Sequence, residues 1–148
     1  MMRYRVAIFI LLAALGAFAK QKSLEELKAE IGKVKGGRQA EAFAQLAERL
    51  VEVANQQFAE AKSVEGHETI KEVLECATQA HDIALQTRKK RKEVEIHLRE
   101  AQRQMANVRR TLAAVDRPAL EAVEKKLADY RQDLLESMFA PKKKEKTQ

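Results

Sequence analysis

Between His67 and Val115 apolar residues return at alternating intervals of three and four, without a single proline or glycine: Ile70, Val73, Ala77, Ala80, Ala84, then Val94, Leu98, Ala101, Met105, Val108, Leu112 and Val115. Such spacing keeps one stripe on one side of a helix and, carried over several heptads, marks a coiled-coil-like seam. The same period appears on either side of this segment. Leu24, Leu27, Ile31 and Val34 form a short stripe, Phe43, Leu46, Leu50, Val53, Ala54, Phe58 and Ala61 a broader one, and Leu120, Val123, Leu127, Tyr130, Leu134 and Met138 a last one.

Local punctuation divides these stripes into four helices. Ser23 with Glu26 three residues on forms a capping box, and the paired Gly36 and Gly37 close the first helix. "SVEGHET" reads as the turn before the third helix, while Asp116 with Pro118 opens the fourth. The expected helices cover about 24–35, 39–62, 67–115 and 117–139, within one domain spanning 20–140.

Length then suggests a layout. At about 1.5 Å per residue the third helix would extend roughly 73 Å, twice the length of the second or the fourth. The short connections predict that each shorter helix folds back on one half of it, giving an all-α protein of antiparallel helical hairpins sharing one long central helix. The alternative bends the chain at 87–92 into a compact four-helix up-down bundle. Gln, Arg, Lys and Glu at the midpoint are good helix formers, which favours the rod. On the rod the far ends of the second and fourth helices, Gln39 and Phe139, would meet near Arg91.

The seam fails at one place only, at Thr87 and Arg91, within the run Arg88, Lys89, Lys90, Arg91 and Lys92. On a rod this run is the waist that neither short helix covers, with contact to an anionic partner as the functional reading. No aromatic residue lies within it to stack on bases, and nucleic acid is not the expected partner. Off the seam, Leu74, Ile83, Leu85 and Ile96 make a second apolar stripe. On a rod this stripe predicts self-association into a homo-oligomer, or docking of another helical protein.

Composition changes the picture at the two ends. "MMRYR" followed by the apolar run from Val6 to Ala19 reads as a cleaved secretory signal, too short for a spanning helix, so the expected mature chain is exported and carries no transmembrane segment. "PKKKEKTQ" at 141–148 reads as a disordered solubilising tail. With the +2 of the leader and the +3 of the tail set aside, the overall charge of +6 falls to +1 for residues 20–140, so the body is not a polycation. It is polarised instead: residues 41–86 hold nine acids against three bases, and residues 88–126 twelve bases against six acids.

Candidate chemistry is sparse. Cys76 is the only cysteine, so an intermolecular disulfide is the one bridge open to it in an oxidising compartment. His67, His81 and His97 share no metal-binding spacing with it, and no HExxH or paired-cysteine motif occurs. The carboxylates alternate with Lys and Arg at helical intervals, the pattern of a solvated face. No catalytic residue, cofactor or metal is therefore expected.

The stretch "LAERLVEVANQQFAEAKSVEGHETIKEVLECATQA" resembles a tetratricopeptide-type hairpin, with Gly66 as the small packing residue. The resemblance covers some forty residues, lacks the full aromatic and glycine pattern, and shows no second copy at the ~34-residue period. It implies a protein-binding helical hairpin. The sequence thus points to an exported, non-enzymatic interaction or scaffold protein, with a periplasmic chaperone-like holdase as the alternative.

Overall fold

The computed structural model describes residues 22–140. The expected leader at 1–19 and the lysine-rich tail at 141–148 lie outside the described residues. Within them the protein is all-helical, with α1 at Leu24–Lys33, α2 at Gly37–Ala59, α3 at Ser63–Thr87, α4 at Arg91–Thr111 and α5 at Arg117–Phe139. No helix among the described residues is long and apolar enough to cross a membrane.

The central rod is absent. The helix expected over 67–115 stops at Thr87 and restarts at Arg91, with Arg88 (φ 57°) and Lys90 (φ 58°) both left-handed. The Thr87 hydroxyl donates to the Ile83 carbonyl and accepts the Lys89 N–H at 3.3 Å, which closes α3 from the side-chain level. Neither left-handed residue is a glycine, so each costs about 1 to 2 kcal/mol. The gain is larger. The break folds α4 back, so that Val94, Leu98, Ala101 and Met105 become fully buried with Ala77, Ala80 and Ala84 in a single core. Burying one large apolar side chain stabilises by roughly 1.5 to 3 kcal/mol, so two such residues already offset the turn. Helix propensity at 87–92 is overruled by burial.

Two antiparallel hairpins result, α2 with α3 and α4 with α5, stacked so that like helices lie side by side. The parallel pairing of α2 with α4 shows in the ascending contacts Glu41 to Lys90 and Glu48 to His97. That of α3 with α5 shows in His67 to Asp116, Thr78 to Tyr130 and His81 to Asp133. The acidic stretch and the basic stretch of the sequence therefore fall largely in adjacent hairpins, and their opposite charge is met within one chain. Helix α1 lies against α2, held by the buried Leu27 and by the Gln39 amide donating to the Ile31 carbonyl.

Several boundaries shift for physical reasons. Ser23 caps α1 as expected, accepting the Glu26 N–H at 3.1 Å. "SVEGHET" is helix rather than turn: the reversal occurs at Glu60 to Lys62, with Ala61 left-handed, and Gly66 lies in the second turn of α3. There its missing side chain admits the Phe58 ring, since a Cβ at Gly66 would stand 2.8 Å from ring carbons. At the other reversal α4 stops at Thr111, four residues earlier than the seam predicts. Asp116 precedes α5 without a side-chain cap bond of its own, and Pro118 occupies the first turn.

The break gives a direct test. Replacing Arg88 and Lys90 by Gly removes the left-handed penalty, and the double variant is expected to melt higher, by about 1 kcal/mol of stability, whereas Val at either position is expected to lower the melting temperature.

Candidate functional site: a basic end and an inter-hairpin groove

The parallel stacking brings the start of α2, the start of α4 and the end of α5 to one end of the molecule. Gly37 seats there against the α3–α4 connection, so closely that a Cβ on it would lie 2.8 Å from Lys89 Cβ and 2.9 Å from Lys90 Cγ. The Arg91 guanidinium donates to the Ser137 carbonyl at 2.8 Å and to its hydroxyl at 3.1 Å, tying α4 to the last turn of α5. The sequence placed these ends near Arg91 by tiling two short helices along a rod; here it is the reversal at Arg88 to Lys90 that brings them together.

Of the five cations in the run, Arg91 is therefore a structural tie, and Lys90 faces Glu41 at 3.4 Å. Arg88, Lys89 and Lys92 are exposed and make no ion pair among the described residues. Two cations that the run does not contain join them. Lys35 and Arg38 flank the paired glycines, and together with Gly37, Lys89 and Lys90 they line a concavity of 440 Å³. The available signal was "KGGR": cations on both sides of glycines that bring the backbone close to a neighbour. Both α2 and α4 begin at this end without a side-chain cap, which adds the positive ends of two helix dipoles.

A second concavity, of 280 Å³, runs between α2 and α4 and is lined by Val51, Glu52, Asn55, Gln104, Asn107, Val108 and Thr111. Its floor is apolar and its rims carry amides. The Gln104 Nε2 donates to Glu100 at 3.3 Å, while its buried Oε1 has no hydrogen-bond partner among the described residues.

All three histidines bridge the hairpins, a role that their sequence spacing did not reveal. His97 pairs with Glu48 at 2.7 Å, and His81 is held between Asp82 and Asp133, each at 2.8 Å, while stacking on Tyr130 at 4.4 Å. His67 reaches Asp116 at 2.8 Å, and the Ser63 hydroxyl donates to the same carboxylate oxygen at 3.2 Å. Hydrogen bonding from His67, then from Ser63, lowers the Asp116 pKa below its ordinary value. Serine, histidine and aspartate meet here, but the serine hydroxyl points to the carboxylate rather than to imidazole. Hydroxyl and imidazole both bond the one carboxylate oxygen, and the cluster pins the two hairpin tips.

The apolar stripe expected at Leu74, Ile83, Leu85 and Ile96 is mostly absorbed. The first three are half-buried against the core, and only Ile96 remains exposed, at 44%. The bundle gives these residues the neighbours that a two-helix rod would have lacked.

Cys76 is half-buried beside them. Burial, reinforced by Glu72 and Glu75, pushes its thiol up to about 11. Since the thiolate is the reactive form, alkylation at pH 8 is expected to run about a hundredfold slower in the folded chain than in the unfolded one. The sign for stability follows: the folded state favours the neutral thiol, so this contribution is present below about pH 9 and lost as pH rises toward 11. Timed alkylation with mass detection checks the rate.

No family model, no curated protein and no solved structure matches the chain, so what it does is argued from this geometry.

Proposed function

We propose that the chain is an exported, non-enzymatic helical interaction module whose α2–α4 groove receives an extended segment of another protein. One observation carries this: the hairpins stack with like helices in parallel, which opens a groove with an apolar floor and amide rims. Side-chain amides both donate and accept, matching the alternating N–H and C=O groups of a peptide backbone. The small-residue packing of Gly66 on Phe58 supports the resemblance to a protein-binding hairpin.

A self-associating scaffold and a holdase both draw on an exposed apolar stripe, and three of its four residues pack against the core. The groove reading needs no such stripe.

Placing a photocrosslinking residue at Asn107, in the groove, and separately at Gln132, on the outer side of α5, tests the reading in the native envelope fraction. A discrete adduct from Asn107 and none from Gln132 is expected. Equal labelling from both positions, or stoichiometric protection of a denatured client from aggregation, would overturn it.

A further inference from the structure

The basic end carries more than charge. Phe139, two residues beyond the Ser137 that Arg91 holds, is 80% exposed, one of four large apolar side chains left open among the described residues. The other three, Val64, Ile96 and Val115, belong elsewhere: Val64 and Val115 adjoin the Ser63–Asp116 contact at the opposite tip, and Ile96 lies more than a turn into α4. An open aromatic ring thus stands at the end where Lys35, Arg38, Arg88, Lys89 and Lys92 lie without an ion pair among the described residues. Four more lysines follow Ala140 in the sequence.

Like charges gathered on one end repel one another, a cost that persists unless a counter-charge is presented to all of them together. A small free anion fills one concavity. A sheet of anionic headgroups meets the whole end at once, and only an interface of headgroups and acyl chains also rewards an exposed phenyl ring. The geometry points to this end of the bundle as a docking surface for an anionic phospholipid membrane: the cations contact headgroup phosphates, the concavity at Gly37 admits one headgroup, and Phe139 enters the interface. This goes beyond the peptide groove, which opens between α2 and α4 along the side of the bundle, and the two surfaces are testable apart.

The experiment is co-sedimentation of the full chain with vesicles of phosphatidylcholine alone or with about a third of phosphatidylglycerol. Any contribution of residues 1–19 is common to every variant, so comparison of variants isolates the bundle end. Binding to the anionic vesicles is expected to exceed binding to the neutral ones and to fall as salt is raised. Exchange of Lys35, Arg38 and Lys89 together for Gln is expected to weaken the anionic binding by about a hundredfold, some fivefold per cation. Phe139→Ser is expected to weaken it about tenfold. All four residues are exposed, so helical circular dichroism is expected to be unchanged in both variants. Equal binding to the two vesicle types, unchanged binding in either variant, or binding of soluble polyphosphate without binding of anionic vesicles would overturn the proposal.

Discussion

Arg131→Met is expected to destabilise the protein by about 3 kcal/mol, with the loss recovered when Glu95→Leu is added. Glu95 is 2% exposed, on α4 where it meets α5, and it is the most deeply buried charge among the described residues. Its carboxylate is held by the Arg99 guanidinium, one turn on, and by Arg131 Nε at 3.2 Å, while Arg131 also donates to Gln102 at 2.6 Å. Arg99 is largely exposed and water competes for it, so Arg131 supplies the shielded half of the compensation. Without Arg131 the carboxylate keeps its desolvation cost and loses its inner partner. With both replaced, two apolar chains fill the same space and no charge is left behind. Chemical denaturation of the two singles and the double checks this, and an additive outcome would rule out the coupling.

Leu98→Ala carries the second large effect, a loss of about 3 kcal/mol. Leu98 is fully buried one helical turn beyond Val94, on the stripe of α4 that the break at Arg88 to Lys90 turns into the core. Close-packed surroundings relax only partly around the lost atoms, so the cavity adds to the lost transfer energy. On a chain of this size the loss corresponds to a melting temperature lower by roughly 10 °C. A rod would place Leu98 under one partner helix alone, and a loss below about 1 kcal/mol would argue for that shape.

The seams were legible because burial in a helix leaves a period, and every apolar seam residue from Ile70 to Leu112 is buried. The Ser23 cap and the proline in the first turn of α5 were legible for a similar reason: each is a local device with its own residue type. The reversal at Arg88 to Lys90 was not. Arg and Lys there favour helix locally, and the energy that bends them comes from Val94, Leu98 and Met105 reaching a core assembled from residues far away in sequence. Because 87–92 contains no seam side chain that needs cover, nothing within it signals the change. The basic run itself was found, but Lys35 and Arg38 join it only through tertiary folding, some fifty residues away. The histidine bridges were invisible for the same reason, since each partner is about fifty residues distant.

Only three residues, Arg88 to Lys90, join the two hairpins, and their dihedrals fix the direction in which α4 departs. Each residue of a helix turns the next by about 100°, so lengthening or shortening this joint by one would rotate the Val94 to Met105 stripe out of the core and carry Glu95 away from Arg131. The joint therefore acts as a key of fixed length. Insertion or deletion within it is expected to cost more than substitution by residues that accept a left-handed backbone, and sequences sharing this architecture are expected to hold the number of these residues constant.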